Sequence, residues 1–221
     1  MIVHLITDRH RLAPNSKGGD ALTCLTRQAQ LAVDAGVDVI QIRERDLDAR
    51  ALFLLTQATV RIARGTATRV LVNDRLDVAL AAAADGVHLP AHSLPVAAVR
   101  VLAPRGFIIG RSVHTREELR AAVGADYVIA GAVWPTASKP DGHAWLGTAG
   151  LASLVRATRI PVLAVGGVSP DRFGETVRAG AVGIAAIGLF VGEPASDGCG
   201  AIPIRSIVGH ARRCGTTSPG I

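Results

Sequence analysis

The sequence predicts an α/β fold, a parallel (β/α)8 or TIM barrel, and three observations predict it. Short apolar runs recur along the whole chain, at residues 2–7, 37–43, 69–73, 85–89, 107–112, 125–131, 161–165 and 181–186. The runs are nearly continuous rather than alternating, which is the pattern of parallel strands buried on both faces. Each leads through a polar cluster into an Ala- and Leu-rich segment with helical spacing, so the repeating unit is βα.

Barrel enzymes carry their active sites at the C-terminal ends of the strands, so each strand end is a candidate position. The first strand ends on Asp8. The second ends in QIRER (residues 41–45), where alternation puts Gln41, Arg43 and Arg45 on one side. The third ends on Asn73 and Asp74. The fourth carries His88, and the fifth ends at Ser112 with His114 just beyond. After the sixth comes PTASK (residues 135–139), where the hydroxyls of Thr136 and Ser138 and the Lys139 ammonium beside a Pro-fixed turn suit a pyrophosphate. The seventh ends in Gly166 and Gly167, followed by Ser169 as a helix N-cap and Pro170 at the first helical position. The eighth leads through Ile187 to Gly188.

Glycines after the last two strands let backbone amides approach a ligand closely, and those loops are where barrels commonly hold phosphate. Arg43 offers a fixed fork of donors for phosphate oxygens. Together these positions describe a pocket for two anionic groups. Trp134 and Trp145 flank the loop after the sixth strand, as a lid or as loop packing.

The bulk numbers agree with one large core. The chain has 221 residues, 49 % hydrophobic but only 3 % aromatic, which suits a barrel packed with Ala, Val, Ile and Leu. One domain over residues 1–215 is expected, with a flexible polar tail at 216–221. The net charge is +6, spread over scattered Arg residues rather than a basic stripe interleaved with aromatics, which argues against nucleic-acid binding. Cys24, Cys199 and Cys214 are an odd number with no CxxC pair and read as reduced thiols. No apolar run is long enough to span a membrane, and the chain starts directly into a strand, so no membrane partner and a cytoplasmic location are expected.

The sequence resembles the thiamine phosphate synthase/TenI family over nearly its whole length. The matching pieces, in order, are HLITDR (4–9), QIRER (41–45), VNDRLDVAL (72–80), ADGVHL (84–89), IGRSVHT (109–115), ADYV (125–128), PTASK (135–139) and IPVLAVGGVSPD (160–171). The resemblance implies a TIM barrel, usually a homodimer, that joins hydroxymethylpyrimidine diphosphate to thiazole phosphate in thiamine biosynthesis. It implies release of pyrophosphate, with Mg²⁺ bridging the diphosphate. By this match Gln41, Arg43, Asn73 and Lys139 hold the pyrimidine diphosphate, Thr136 and Ser138 contact the thiazole side, and Gly166, Gly167, Ile187 and Gly188 cradle its phosphate. Asp74 matches a metal-binding carboxylate and Ser112 the Ser that faces the pyrimidine.

Three departures keep alternatives open. Ser93 stands where the family's second metal carboxylate belongs, Arg45 replaces its usual Lys, and HLPAHS (88–93) resembles the TenI-type thiazole tautomerases, which need no metal. Those tautomerases carry a proton-transfer His after the sixth strand, and here that position is Ala132. A synthase is favoured by the intact PTASK, Gln-x-Arg and Asn-Asp. A tautomerase would need a base among His88, His92 and His114. A non-catalytic binder of thiazole or thiamine phosphate with a regulatory role is the third reading.

Overall fold

The computed structural model describes residues 1–15, 18–136, 144–192, 199–200 and 204–215. Its strands are β1 (Ile2–Ile6), β2 (Val39–Ile42), β3 (Arg69–Asn73), β4 (Gly86–Leu89), β5 (Ile108–Val113), β6 (Tyr127–Gly131), β7 (Val162–Val165) and β8 (Gly183–Ala186). Between and after them run helices α1 (Arg9–Leu12), α2 (Gly18–Asp34), α3 (Ala49–Ala63), α4 (Leu76–Ala81), α5 (Val96–Leu102), α6 (Arg116–Arg120), α7 (Gly147–Arg156), α8 (Phe173–Arg178) and α9 (Ile204–Cys214). The strands hydrogen-bond in chain order as a closed barrel. The pairing is parallel, with Gln41 opposite Leu71 and Ser112 opposite Ile129. This is the (β/α)8 barrel that the apolar runs predict, and all eight anticipated strands form.

Among the described residues the chain divides into two compact units. One comprises Met1–Val3, His88–Ala185 and the chain from His210; the other comprises His4–Val87 and Ala186–Gly209.

In the first unit, Val113, Val128, Val133, Leu151, Leu154 and Val162 form a buried cluster that joins β5, β6 and β7 to α7. Full burial of one such side chain, Leu151 for example, contributes about 1.5–3 kcal/mol. Trp134 is buried in the same cluster, with the Arg172 guanidinium 5.3 Å from its ring, so this Trp packs the loop after β6. Asp126, just before β6, accepts a hydrogen bond from Ile109 N at 2.7 Å and pairs with Arg100 at 2.7 Å, which fixes the start of β5.

The second unit uses the same device. Asp85, before β4, accepts from Val70 N at 2.8 Å and pairs with Arg69 at 3.1 Å. These two carboxylates are the Asp residues of the ADGVHL and ADYV segments, and they act at the strand starts, the end of a barrel that serves stability. Helix α3 begins where Asp48 accepts from Ala51 N at 2.8 Å, and it buries Leu52, Leu55, Thr56, Thr59 and Ala63, one face at helical spacing.

The structure corrects the cysteine reading. Cys24 of α2 and Cys199 form a disulfide, with Cα atoms 5.5 Å apart, and Cys214 is the free thiol among the described residues. The pair is separated by 175 residues, and only the folding of the chain after β8 against α2 brings the two sulfurs together. No spacing rule could show it. No helix among the described residues is long and apolar enough to cross a membrane. The tail at 216–221 lies outside the described residues.

Candidate active site

The strand ends of the second unit carry a polar relay. His4 of β1 is fully buried, and its Nε2 donates to Gln41 Oε1 at 3.0 Å; Gln41 Nε2 in turn donates to Asn73 Oδ1 at 3.0 Å. Burial lowers the His4 pKa to about 3, against a smaller upward effect of the Gln41 hydrogen bond, so the imidazole is neutral at pH 7. A neutral ring with its hydrogen on Nε2 sets the Gln41 amide so that its NH2 points to Asn73. The relay thereby fixes the orientation of the Asn73 amide, whose own NH2 donors are what it presents at the end of β3.

Arg43 is held from its backbone. Its N donates to Thr7 Oγ1 at 2.9 Å, and Thr7 Oγ1 donates onward to the buried Glu44 carboxylate at 2.7 Å. Arg9 closes this frame by pairing with Glu44 at 3.1 Å and with both oxygens of Asp46. The Arg9 and His10 hydrogen bonds hold the Asp46 carboxyl well below the usual carboxylate range. The HLITDR and QIRER segments are thus one interlocked corner. Arg43 itself is partly buried, and burial first, then the neighbouring Arg45, push its guanidinium below its ordinary value. A partly desolvated cation beside a like charge is a place where an incoming anion gains much.

At the end of β3, Asp74 has φ 65, a left-handed conformation that few non-glycine residues adopt. Its carboxylate is exposed at the strand end. In the same unit Ile187 and Gly188 open the turn after β8.

The first unit carries a second polar chain. His88 of β4 is buried, with Nε2 2.8 Å from Ser112 Oγ and Nδ1 3.1 Å from Tyr127 Oη. Burial first, then the adjacent Asp126, raise the Tyr127 pKa well above its ordinary value, so its phenol keeps its proton. The two ring nitrogens of His88 thus bridge the Tyr127 and Ser112 hydroxyls. His88 therefore orients Ser112. His114 is tied at the surface, with Nδ1 2.9 Å from Glu118 Oε2 and its N 2.6 Å from the same oxygen. Ala132, the position of the tautomerase His, is buried.

The turn after β7 requires its glycines. Gly166 and Gly167 have φ 92 and 63. A Cβ on Gly166 would stand 2.5 Å from that of Ala132, and one on Gly167 would strike Pro135 O and lie 2.8 Å from Trp134 Cβ. Their carbonyls are occupied, by Trp134 N at 3.0 Å and Arg172 Nη1 at 2.6 Å, which leaves amides as the groups this turn can offer. Ser169 occupies the N-cap position without a side-chain cap bond, and Pro170 opens a short 3-10 turn before α8. Thr136 is partly buried. Ser138 and Lys139 lie outside the described residues.

Sequence reading passed over His4, Thr7, Glu44 and Tyr127, the residues that hold the candidate groups in place. A polar side chain inside an otherwise apolar strand was the available signal for His4 and Tyr127. It also passed over Arg111, buried beside Ser112 on β5, which donates to Ala91 O at 2.7 Å and Leu94 O at 2.5 Å and so fixes the loop that carries Ser93.

Among the described residues no three His, Cys, Asp or Glu side chains gather as a metal site. Toward a cation the second unit offers the exposed Asp74 at the end of β3. Mg²⁺ keeps several waters and takes one or two carboxylates together with phosphate oxygens. The Asp74 carboxylate could serve as one such ligand to a Mg²⁺ ion that arrives with a diphosphate.

The family model and the curated relatives agree with one another. The family model described as thiamine monophosphate synthase matches residues 4–190. A putative thiamine-phosphate synthase of Geobacter sulfurreducens is 40% identical over 194 residues, 87% of this chain and 87% of that protein. The thiamine-phosphate synthase of Methanoregula boonei is 44% identical over 168 residues, 75% and 78% of the two chains. Among solved structures, the thiamine phosphate pyrophosphorylase of Pyrococcus furiosus superposes with a TM-score of 0.76 at 32% identity, covering 96% of this chain and 94% of that one.

Proposed function

The chain belongs to the thiamine monophosphate synthase family, and from that premise we propose how its residues carry the family's reaction. It is a thiamine phosphate synthase, a transferase of thiamine biosynthesis that couples hydroxymethylpyrimidine diphosphate with thiazole phosphate to give thiamine phosphate and pyrophosphate. The observation that supports the residue assignment best is the His4–Gln41–Asn73 relay, which presents a fixed amide beside the corner that holds Arg43.

The reaction needs a leaving diphosphate to depart with its electron pair, so that a pyrimidine methylene cation forms and the thiazole nitrogen captures it. Little covalent chemistry falls to the protein. Its task is positioning and neutralising charge that grows on the leaving group. Arg43, Asn73 and Lys139 take the diphosphate oxygens, with Gln41 orienting Asn73. Ser112, set by His88, lies against the pyrimidine. Thr136 and Ser138 contact the thiazole, and the amides of Gly166, Gly167, Ile187 and Gly188 are offered to its phosphate. Mg²⁺, held by Asp74 together with the substrate's diphosphate, would supply further charge neutralisation on the leaving group.

A homodimer and a cytoplasmic location belong to the same reading and rest on the family alone. The tautomerase alternative draws support from Ser93, but the buried methyl of Ala132 provides no group for proton transfer. The test is a mass-spectrometric assay of purified protein. Offered the pyrimidine diphosphate, thiazole phosphate and Mg²⁺, it should form thiamine phosphate; offered the thiazole carboxylate phosphate tautomer alone, it should leave it unchanged. The reverse pattern would establish the tautomerase, and binding without turnover in either would establish a regulator.

A further inference from the structure

The phosphate of the thiazole partner is so far given backbone amides alone, which carry only partial charge. In the unit that contains Gly188, the charged side chain of Arg11 reaches that glycine. A Cβ on Gly188 would stand 2.8 Å from Nη2 of Arg11, 3.5 Å from its Cζ and 3.6 Å from its Nη1, so the guanidinium fills the space that a side chain at this position would need. Arg11 is exposed, and its charge stands at the surface of the turn.

The two backbones that bring Arg11 and Gly188 together are both fixed. Helix α1 begins where Asp8 Oδ1 accepts from Arg11 N at 3.1 Å, and it ends on Leu12, which is buried and whose carbonyl accepts from Gly200 N at 3.2 Å. The turn after β8 is held by Gln28 Nε2, which donates to Phe190 O at 2.8 Å, and the chain beyond it by the Cys24–Cys199 disulfide. The backbone that carries Arg11 is thus fixed by its short helix, and the guanidinium at the end of its side chain reaches Gly188.

We propose that Arg11 is a specificity-determining residue that binds the phosphate carried by the thiazole substrate at the Gly188 turn. This rests on the synthase reading above. A guanidinium adds a full charge and a fork of donors to amides that supply neither, and it distinguishes a phosphomonoester from the corresponding alcohol.

The experiment compares wild-type protein with Arg11→Ala and Arg11→Lys by calorimetric binding of thiazole phosphate and of the unphosphorylated thiazole alcohol, and by steady-state coupling. Arg11→Ala should weaken thiazole phosphate binding by at least about tenfold, the scale of one charge-assisted contact, and leave both alcohol binding and the KM for the pyrimidine diphosphate unchanged. Arg11→Lys should fall between. The proposal is overturned if Arg11→Ala changes phosphate binding by less than about twofold, or weakens phosphate and alcohol alike. It is also overturned if the wild-type protein does not bind thiazole phosphate. Wild-type protein that binds thiazole phosphate through Arg11 but forms no thiamine phosphate would uphold Arg11 and refute the synthase reading.

Discussion

His4 Nε2 lies 3.0 Å from Gln41 Oε1, so a fully buried, neutral imidazole on β1 sets the amide of the residue that orients Asn73. The contact ties a stability property to the candidate site, and its pH dependence has a definite sign. The folded-state pKa of His4, about 3, is depressed below its ordinary 6.5. The unfolded chain therefore binds the proton more readily, and the stability that neutral His4 contributes is complete above pH 6.5 and lost as pH falls toward 3. Unfolding in urea should show this loss already between about pH 6.5 and 4.5, before carboxylates titrate, with a slope approaching 1.4 kcal/mol per pH unit. His4→Gln should flatten that window. An unchanged slope in the variant would show that another group is responsible.

The disulfide is expected to be both real in solution and worth several kcal/mol. Alkylation of non-reduced protein should label Cys214 and leave Cys24 and Cys199 linked in one peptide pair. Replacing both with Ser should lower unfolding free energy by about 2–4 kcal/mol, since the link constrains a long loop in the unfolded chain. Labelling of all three thiols without reductant would contradict the pairing.

Ser93→Asp tests the metal assignment. If Mg²⁺ is held by Asp74 and the substrate's diphosphate, a restored carboxylate should lower the Mg²⁺ concentration for half-maximal coupling by about tenfold, roughly 1.4 kcal/mol. Thiazole phosphate binding should not change. A coupling enzyme whose Mg²⁺ dependence is indifferent to this substitution would mean that the loop after β4 does not stand at the metal.

Much of the architecture was legible in the sequence because burial on both faces writes an apolar run, and a run with a polar end and a helix after it has few other meanings. Strand β3 coincides with its predicted range at residues 69–73. Strand β8 is shorter than the run at 181–186, because Ala181 N still bonds Thr176 O as the chain leaves α8. The candidate groups Gln41, Asn73 and Ser112 do stand at or near strand ends, where their polar character marks them in the sequence. Their supports were not legible. Thr7 and Glu44 act on Arg43 and Arg9 across strands, Tyr127 acts on His88 from two strands away, and Cys24 meets Cys199 across 175 residues. Such partners are set by barrel closure and register, which no local pattern records.

The central claim is that the corner around Arg43 and Asn73 stabilises a departing diphosphate. Its most direct measurement is simultaneous quantitation of thiamine phosphate and pyrophosphate formed by wild-type protein and by Arg43→Met, which keeps volume but removes the charge. Equal amounts of the two products are predicted for the wild type. For Arg43→Met, kcat should fall by about 10²–10³-fold, the scale of one preorganised charge-stabilising group, with little change in melting temperature. Thiamine phosphate formed at an undiminished rate by Arg43→Met, or formed without matching pyrophosphate, would contradict the account.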